Sequence, residues 1–151
     1  MTTVKSRGEV SKMNSAPAVF VRFKSDGCGH CVDSQPMWDD MIRQLSGYAV
    51  QPGCIIREVE SAFSDAFKAL GSDGTAFQIR GVPAYEFFRN GKQLALAPIG
   101  RDAGSLLAAL QTQNFIKKKA SAPIASRGRI RGLRRSRVRK NKRRRSSFRT
   151  F

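Results

Sequence analysis

The chain has 151 residues, enough for one ordinary domain that buries its own core without disulfide staples. Its formal charge of +17 is concentrated: residues 1–116 hold 12 Lys+Arg against 11 Asp+Glu, whereas residues 117–151 hold 16 Lys+Arg and no acid. Three cysteines exclude the disulfide framework of a small secreted protein, and no apolar run approaches the ~18 residues of a membrane span.

Read in order, residues 1–17 are a short leading segment. Met1 to Ala16 lacks the apolar centre of a secretory signal, so an intracellular, non-secreted setting (cytoplasm, nucleus or virion) is expected. Ala18-Val19-Phe20-Val21, continuing to Phe23, predicts a short buried strand. It runs into Ser25-Asp26-Gly27 and the pair Cys28-Gly29-His30-Cys31. Trp38, Met41, Ile42 and Leu45 recur at i, i+3, i+4, i+7, which predicts one helix from near Cys28 to Leu45, kinked at Pro36 and stopped by Gly47. Cys54 to Glu60 reads as a second strand. Phe63, Phe67 and Leu70 then predict a short amphipathic helix ending at Gly71. Ala84–Arg89 and Gln93–Ala97 read as strands joined across Asn90-Gly91, a strong hairpin signal. A last helix is expected after Asp102, a good N-cap, with Leu106, Leu107 and Leu110 inward. Alternating strands and helices favour an α/β layer fold over residues 18–116.

Two cysteines three positions apart, at the start of a helix that follows a buried strand, suit redox chemistry. The helix's positive end favours a thiolate at Cys28, the expected nucleophile. Cys31, one turn on, is placed to resolve a mixed disulfide, and His30 adds a donor beside the Cys28 sulfur. The same spacing is half a zinc site, but only Cys54 remains as a further ligand because His30 is the sole histidine. Cys54 and Trp38 read as core residues, Tyr85 as a half-buried strand residue, and the adjacent Asp39 and Asp40 cannot converge on one centre.

Over about Ala18 to Asn114 the sequence resembles the thioredoxin family, in which Cys-Gly-His-Cys is the active-site form of protein disulfide isomerase domains. Pro36, five residues past Cys31, matches the family's helix proline. Ile79-Arg80-Gly81-Val82-Pro83-Ala84, followed by Phe87-Phe88-Arg89-Asn90-Gly91-Lys92, resembles its cis-proline loop and hairpin, and Gly100 its glycine before the last helix. The resemblance implies a thioredoxin fold with a central mixed sheet flanked by helices, and thiol–disulfide exchange with client protein cysteines. It implies no cofactor or metal beyond the Cys28–Cys31 disulfide itself. It further implies a cis Val82–Pro83 bond, with Val82 and Pro83 binding the client backbone.

The sequence also departs from the family pattern. Gly27 stands where the family has tryptophan, and Arg22 where it has a buried acid. Glu58 aligns with the family's lysine partner for that acid. Two arrangements follow. In one, Arg22 and Glu58 face each other beneath the cysteines and Glu58 serves as the buried proton acceptor. In the other, Arg22 reaches outward and Glu58 is an exposed strand residue. The 17 residues before Ala18 are fewer than the family's first strand and helix need, so a truncated N-terminal end is expected.

From Lys117 onward, Arg, Lys, Ser and Gly with scattered apolar residues cannot bury surface against sixteen cations, so a tail disordered unless a partner orders it is expected. Arg134, Arg135, Arg137, Arg139, Lys140, Lys142, Arg143, Arg144 and Arg145 are the candidate polyanion-binding residues. Nucleic acid, an address signal, and an acidic protein or lipid surface are the competing partners. Joined to a disulfide oxidoreductase, the tail fits packaging with nucleic acid in an assembly such as a virus particle. The alternative is a non-catalytic structural or adaptor protein, for instance a minor capsid component, on a thioredoxin scaffold.

Overall fold

A computed structural model describes residues 1–121 of the chain; the nine candidate polyanion-binding residues of the tail lie outside the described residues. Strand β1 (Ala18–Lys24) is the axis of the fold, and every residue from Ala18 to Phe23 is buried. A strand flanked on both sides and covered on both faces must be apolar throughout, and Ala18 to Phe23 is so except at Arg22. It pairs in parallel with β3 (Cys54–Glu60) and antiparallel with β4 (Ala84–Arg89). β5 (Lys92–Gln93) completes the mixed sheet in the order β3-β1-β4-β5. Asn90 and Gly91 turn β4 into β5 with φ of 50° and 72°, the left-handed pair that a tight hairpin requires.

The helices cover both faces. On one lie α2 (Gly29–Asp33), α3 (Gln35–Gln44) and α4 (Ala103–Thr112), which bury Trp38, Met41, Leu106, Leu107 and Leu110 against Phe20, Ile56 and Phe87. At roughly 1.5–3 kcal/mol for each large apolar side chain removed from water, this is the larger half of the core. On the other, Val10 and Met13 of α1 (Arg7–Met13) pack with Val19, Val21, Phe23, Val59, Phe67 and Phe88. The leading residues thus contribute one ladder position, where Val4 bridges to Val59, and a two-turn helix. Asp102 caps α4 by accepting the Ser105 N–H, as expected.

Three expected elements differ. The helix after the cysteines breaks at Ser34 instead of bending at Pro36: α2 ends, α3 begins, and the proline occupies α3's first turn, where no N–H is needed. The helix expected over residues 63–70 is a 3₁₀ segment, Ser61–Ala66, and the chain is extended from Phe67. Leu70, half exposed, joins the hairpin edge, donating its N–H to Gly91 and accepting from Gln93. The sequence there offers serines and a glycine, so edge pairing prevails over a weak helix. The last strand stops at Gln93, with a single further bond from the Leu94 N–H to the Phe87 carbonyl.

A small second sheet pairs β2 (Tyr48–Val50) with β6 (Ile116–Lys118) antiparallel. β6 therefore lies across residue 117, where the sequence reading started the tail. No helix among the described residues is long and apolar enough to cross a membrane.

Candidate active site

Side chains alternate along a strand, so Arg22 shares a face with Ala18 and Phe20, the face on which the cysteine-bearing helices lie. The parallel register sets Arg22 directly beside Glu58. Of the two arrangements open from sequence, the facing pair is the one found: Arg22 is 0% exposed and Glu58 4%, with Nη1 donating to Glu58 Oε2 at 2.5 Å. A buried guanidinium needs its remaining donors satisfied. Here Nη1 also reaches Gln35 Oε1 at 2.8 Å, and Nη2 reaches the Cys31 carbonyl and Ser34 Oγ, both at 2.9 Å, while Nε is left without a partner among the described residues. Arg22 thus fastens the last turn of α2 to the first residues of α3, immediately below the cysteines. Its charge lies 5.5 Å from the Trp38 ring centre and 5.9 Å from that of Tyr85. Glu58 Oε1 accepts from the Thr3 hydroxyl. Both carboxylate oxygens are engaged in this way, and no hydrogen bond links Glu58 to either cysteine.

Cys28 occupies the N-cap of α2 and is half-buried; its sulfur accepts the Cys31 N–H at 3.1 Å. Both thiols are free. Burial pushes the Cys31 thiol above its ordinary value, and the Cys28 side chain beside it adds to the rise. The two sulfurs therefore sit in unlike surroundings, the leading one partly open at a helix end and the second enclosed. The Val82–Pro83 bond is cis, as the family resemblance implied, and the Cys28 thiol lies 3.5 Å from the Val82 carbonyl oxygen, to which it donates. His30 is exposed at the mouth of the site. A cleft of about 790 Å³ opens here, lined by His30, Asp33, Val82, Pro83, Tyr85 and Arg101 among others. Cys54, remote in the fold at the start of β3, is half-buried, and its thiol is pushed up by burial.

Sequence reading missed the partners of the central pair, Thr3, Ser34 and Gln35, because each is a long-range contact. It also missed Asp26, two residues before Cys28, which is paired with Lys5 at 2.7 Å and Lys24 at 2.9 Å. Hydrogen bonds from the Lys5 and then the Lys24 ammonium hold its carboxyl down at about 2. A folded value below the unfolded one gives stabilisation that is present above the ordinary carboxylate range and is lost as pH falls through about 2. In an NMR titration, Lys5→Ala with Lys24→Ala is expected to return the Asp26 midpoint toward 3.8. A midpoint indifferent to both changes would contradict the assignment.

The thioredoxin family model matches residues 3–112. The chain is 31% identical over 117 residues to a protein disulfide-isomerase of Datisca glomerata, covering 77% of this chain and 20% of that protein. It is 31% identical over 94 residues to protein disulfide-isomerase like 2-2 of Arabidopsis thaliana, covering 62% and 19%. It thus spans about a fifth of the length of these relatives. Among solved structures, the first thioredoxin domain of mouse protein disulfide-isomerase A4 superposes with a TM-score of 0.52 at 14% identity, covering 86% of each chain. Human ERp44 superposes at 0.55 with 16% identity, covering 75% of this chain and 29% of that one.

Proposed function

The chain belongs to the thioredoxin family, and we propose that it exchanges disulfides with client proteins through Cys28 and Cys31 while its basic tail holds it on a polyanion. The observation that carries the first half is the setting of the Cys28 sulfur. It caps a helix, takes an N–H from Cys31, and lies 3.5 Å from the carbonyl oxygen of Val82, a residue that lines an open cleft. The Cys28 thiolate attacks one sulfur of a client disulfide, forming a mixed disulfide and releasing the other client sulfur as a thiolate. Cys31 gives its proton to solvent and attacks the Cys28 sulfur; the Cys28–Cys31 bond forms and the client leaves fully reduced. Two electrons pass to the client. Run in reverse, the same steps oxidise a client dithiol.

The client lies extended along Val82 and Pro83, pairing backbone to backbone as an added strand does. His30 stands at the mouth as a donor. Arg22 and Glu58 are positioning residues: Arg22 holds the Cys31 carbonyl and Ser34, and Glu58 neutralises it. The test is turnover of a disulfide-linked model peptide by the full chain. A rate above background supports the reading; background alone overturns it in favour of a scaffold.

For the tail, sixteen cations and no acid over residues 117–151 support counterion-releasing attachment to nucleic acid, as in packaging within an assembly such as a virus particle. Affinity for duplex DNA is expected to fall roughly a thousandfold between about 50 and 200 mM salt. Serine at Arg134, Arg135, Arg137, Arg139, Lys140, Lys142, Arg143, Arg144 and Arg145 should flatten that dependence while sparing β6. Binding that survives those changes would place the contact elsewhere.

A further inference from the structure

The proposal concerns which clients the cleft accepts, and it rests on the exchange activity argued above. Its lining is unbalanced in charge. Arg80, just before the cis-proline loop, and Arg101, at the foot of α4, stand on it with Asp33 as the lone acid, and His30 adds a further donor. Both arginines are exposed, and neither has an ion-pair partner among the described residues. One is carried on the loop that lines the client's path and the other just before the N-cap of the last helix.

A second, independent observation comes from Tyr85. It lines the same cleft, its hydroxyl is screened from solvent, and that hydroxyl finds no hydrogen-bond partner in the protein. Buried hydroxyls are rarely left so. Its ring already packs with Trp38, at 6.3 Å between centres, and lies near the Arg22 guanidinium, so the side chain is held and cannot swing away to find a partner. An unpartnered hydroxyl in a cleft that also carries two guanidinium groups without an ion-pair partner among the described residues is matched by a ligand with acceptor oxygens and negative charge, and charge-assisted bonds of this kind are short and strong.

We propose that the cleft selects client segments carrying an aspartate or glutamate beside the reacting cysteine, the carboxylate being taken by Arg80 and Arg101 at the rim and by the Tyr85 hydroxyl. A lysine in the same place meets two like charges. Arg80, Arg101 and Tyr85 are thus specificity-determining residues, while the sulfur chemistry is left to Cys28 and Cys31.

The test uses the full chain with Cys31→Ser, so that the mixed disulfide at Cys28 accumulates. Three peptides with an activated cysteine disulfide, flanked by Glu, by Gln or by Lys, are compared by the rate of adduct formation. The Glu peptide is expected to react about tenfold faster than the Lys peptide at low salt, the order that steering by a few charges gives. Arg80→Gln with Arg101→Gln should bring the ratio near one, and Tyr85→Phe should lower it part of the way. The sixteen tail cations also attract acidic peptides, but they are the same in every variant. A preference that persists in the double arginine variant therefore belongs to the tail and overturns the proposal, as does a wild-type ratio near one. If even the Gln peptide forms no adduct at Cys28, the exchange reading itself fails, and this inference with it.

Discussion

Serine at position 28 is expected to reduce turnover of a model disulfide to the uncatalysed rate, a loss of roughly a thousandfold or more, as removal of a covalent nucleophile commonly brings. The change is nearly isosteric, and serine is a good N-cap, so α2 keeps its start and its acceptor for the Cys31 N–H. What disappears is the attacking thiolate. Cys31 cannot substitute for it: the residue is 2% exposed, beyond reach of a client, and burial pushes its thiol up. The complementary variant should behave differently. With Cys31→Ser, Cys28 still attacks, no resolving thiol follows, and a stable mixed disulfide accumulates. Equal activity in Cys28→Ser and wild type would mean that the helix-capping sulfur is not the one that reacts.

The second large effect is expected at Arg22. Arg22→Met removes the one cation that, among the described residues, is bonded to a carboxylate that is 4% exposed, and it takes a donor from the Cys31 carbonyl, Ser34 Oγ and Gln35 Oε1. Leaving one partner of a buried pair uncompensated costs about 3–5 kcal/mol, which urea unfolding reads directly. Replacing both partners with apolar residues of similar volume is often near neutral, so Arg22→Met with Glu58→Leu should recover much of that loss. Arg22→Lys keeps the charge but cannot span two acceptors from a planar fork, and an intermediate loss is expected. A double variant as unstable as the single one would show that Arg22 stabilises chiefly through the α2–α3 junction and not through Glu58.

The different legibility of the parts has physical causes. β1 could be read because a strand buried on both faces must be apolar, and Ala18–Phe23 is so except at one residue. That residue, Arg22, was readable as an anomaly, and its pairing with Glu58 was one of the two arrangements that the sequence left open. Its contacts with Ser34, Gln35 and the Cys31 carbonyl depend on how α2 meets α3, which no periodicity encodes. The Asn90-Gly91 turn and the Asp102 cap were readable since each is decided by a few adjacent residues. The stretch from Phe67 to Ile79 was not. Its backbone is bonded in part at the hairpin edge, through Gly91 and Gln93, and apolar spacing alone mistook Phe63, Phe67 and Leu70 for a helical face. β6 escaped notice because two of its three residues are lysines, which charge counting assigns to the tail. The cysteine pair was legible as chemistry. The cleft's arginines and Tyr85 were not read as a site, since they are brought together only by the cis-proline loop and the foot of α4.

On the proposed function, Cys28 and Cys31 form one reversible two-electron couple. This is tested most directly by equilibrating the full chain in glutathione buffers of graded potential, trapping the free thiols and locating each by peptide mass. A single transition is expected, in which Cys28 and Cys31 lose their free thiols together and become linked to each other, with Cys54 still free at the end. Thiols that stay free at every buffer ratio, or a bond that forms to Cys54 instead, would contradict it.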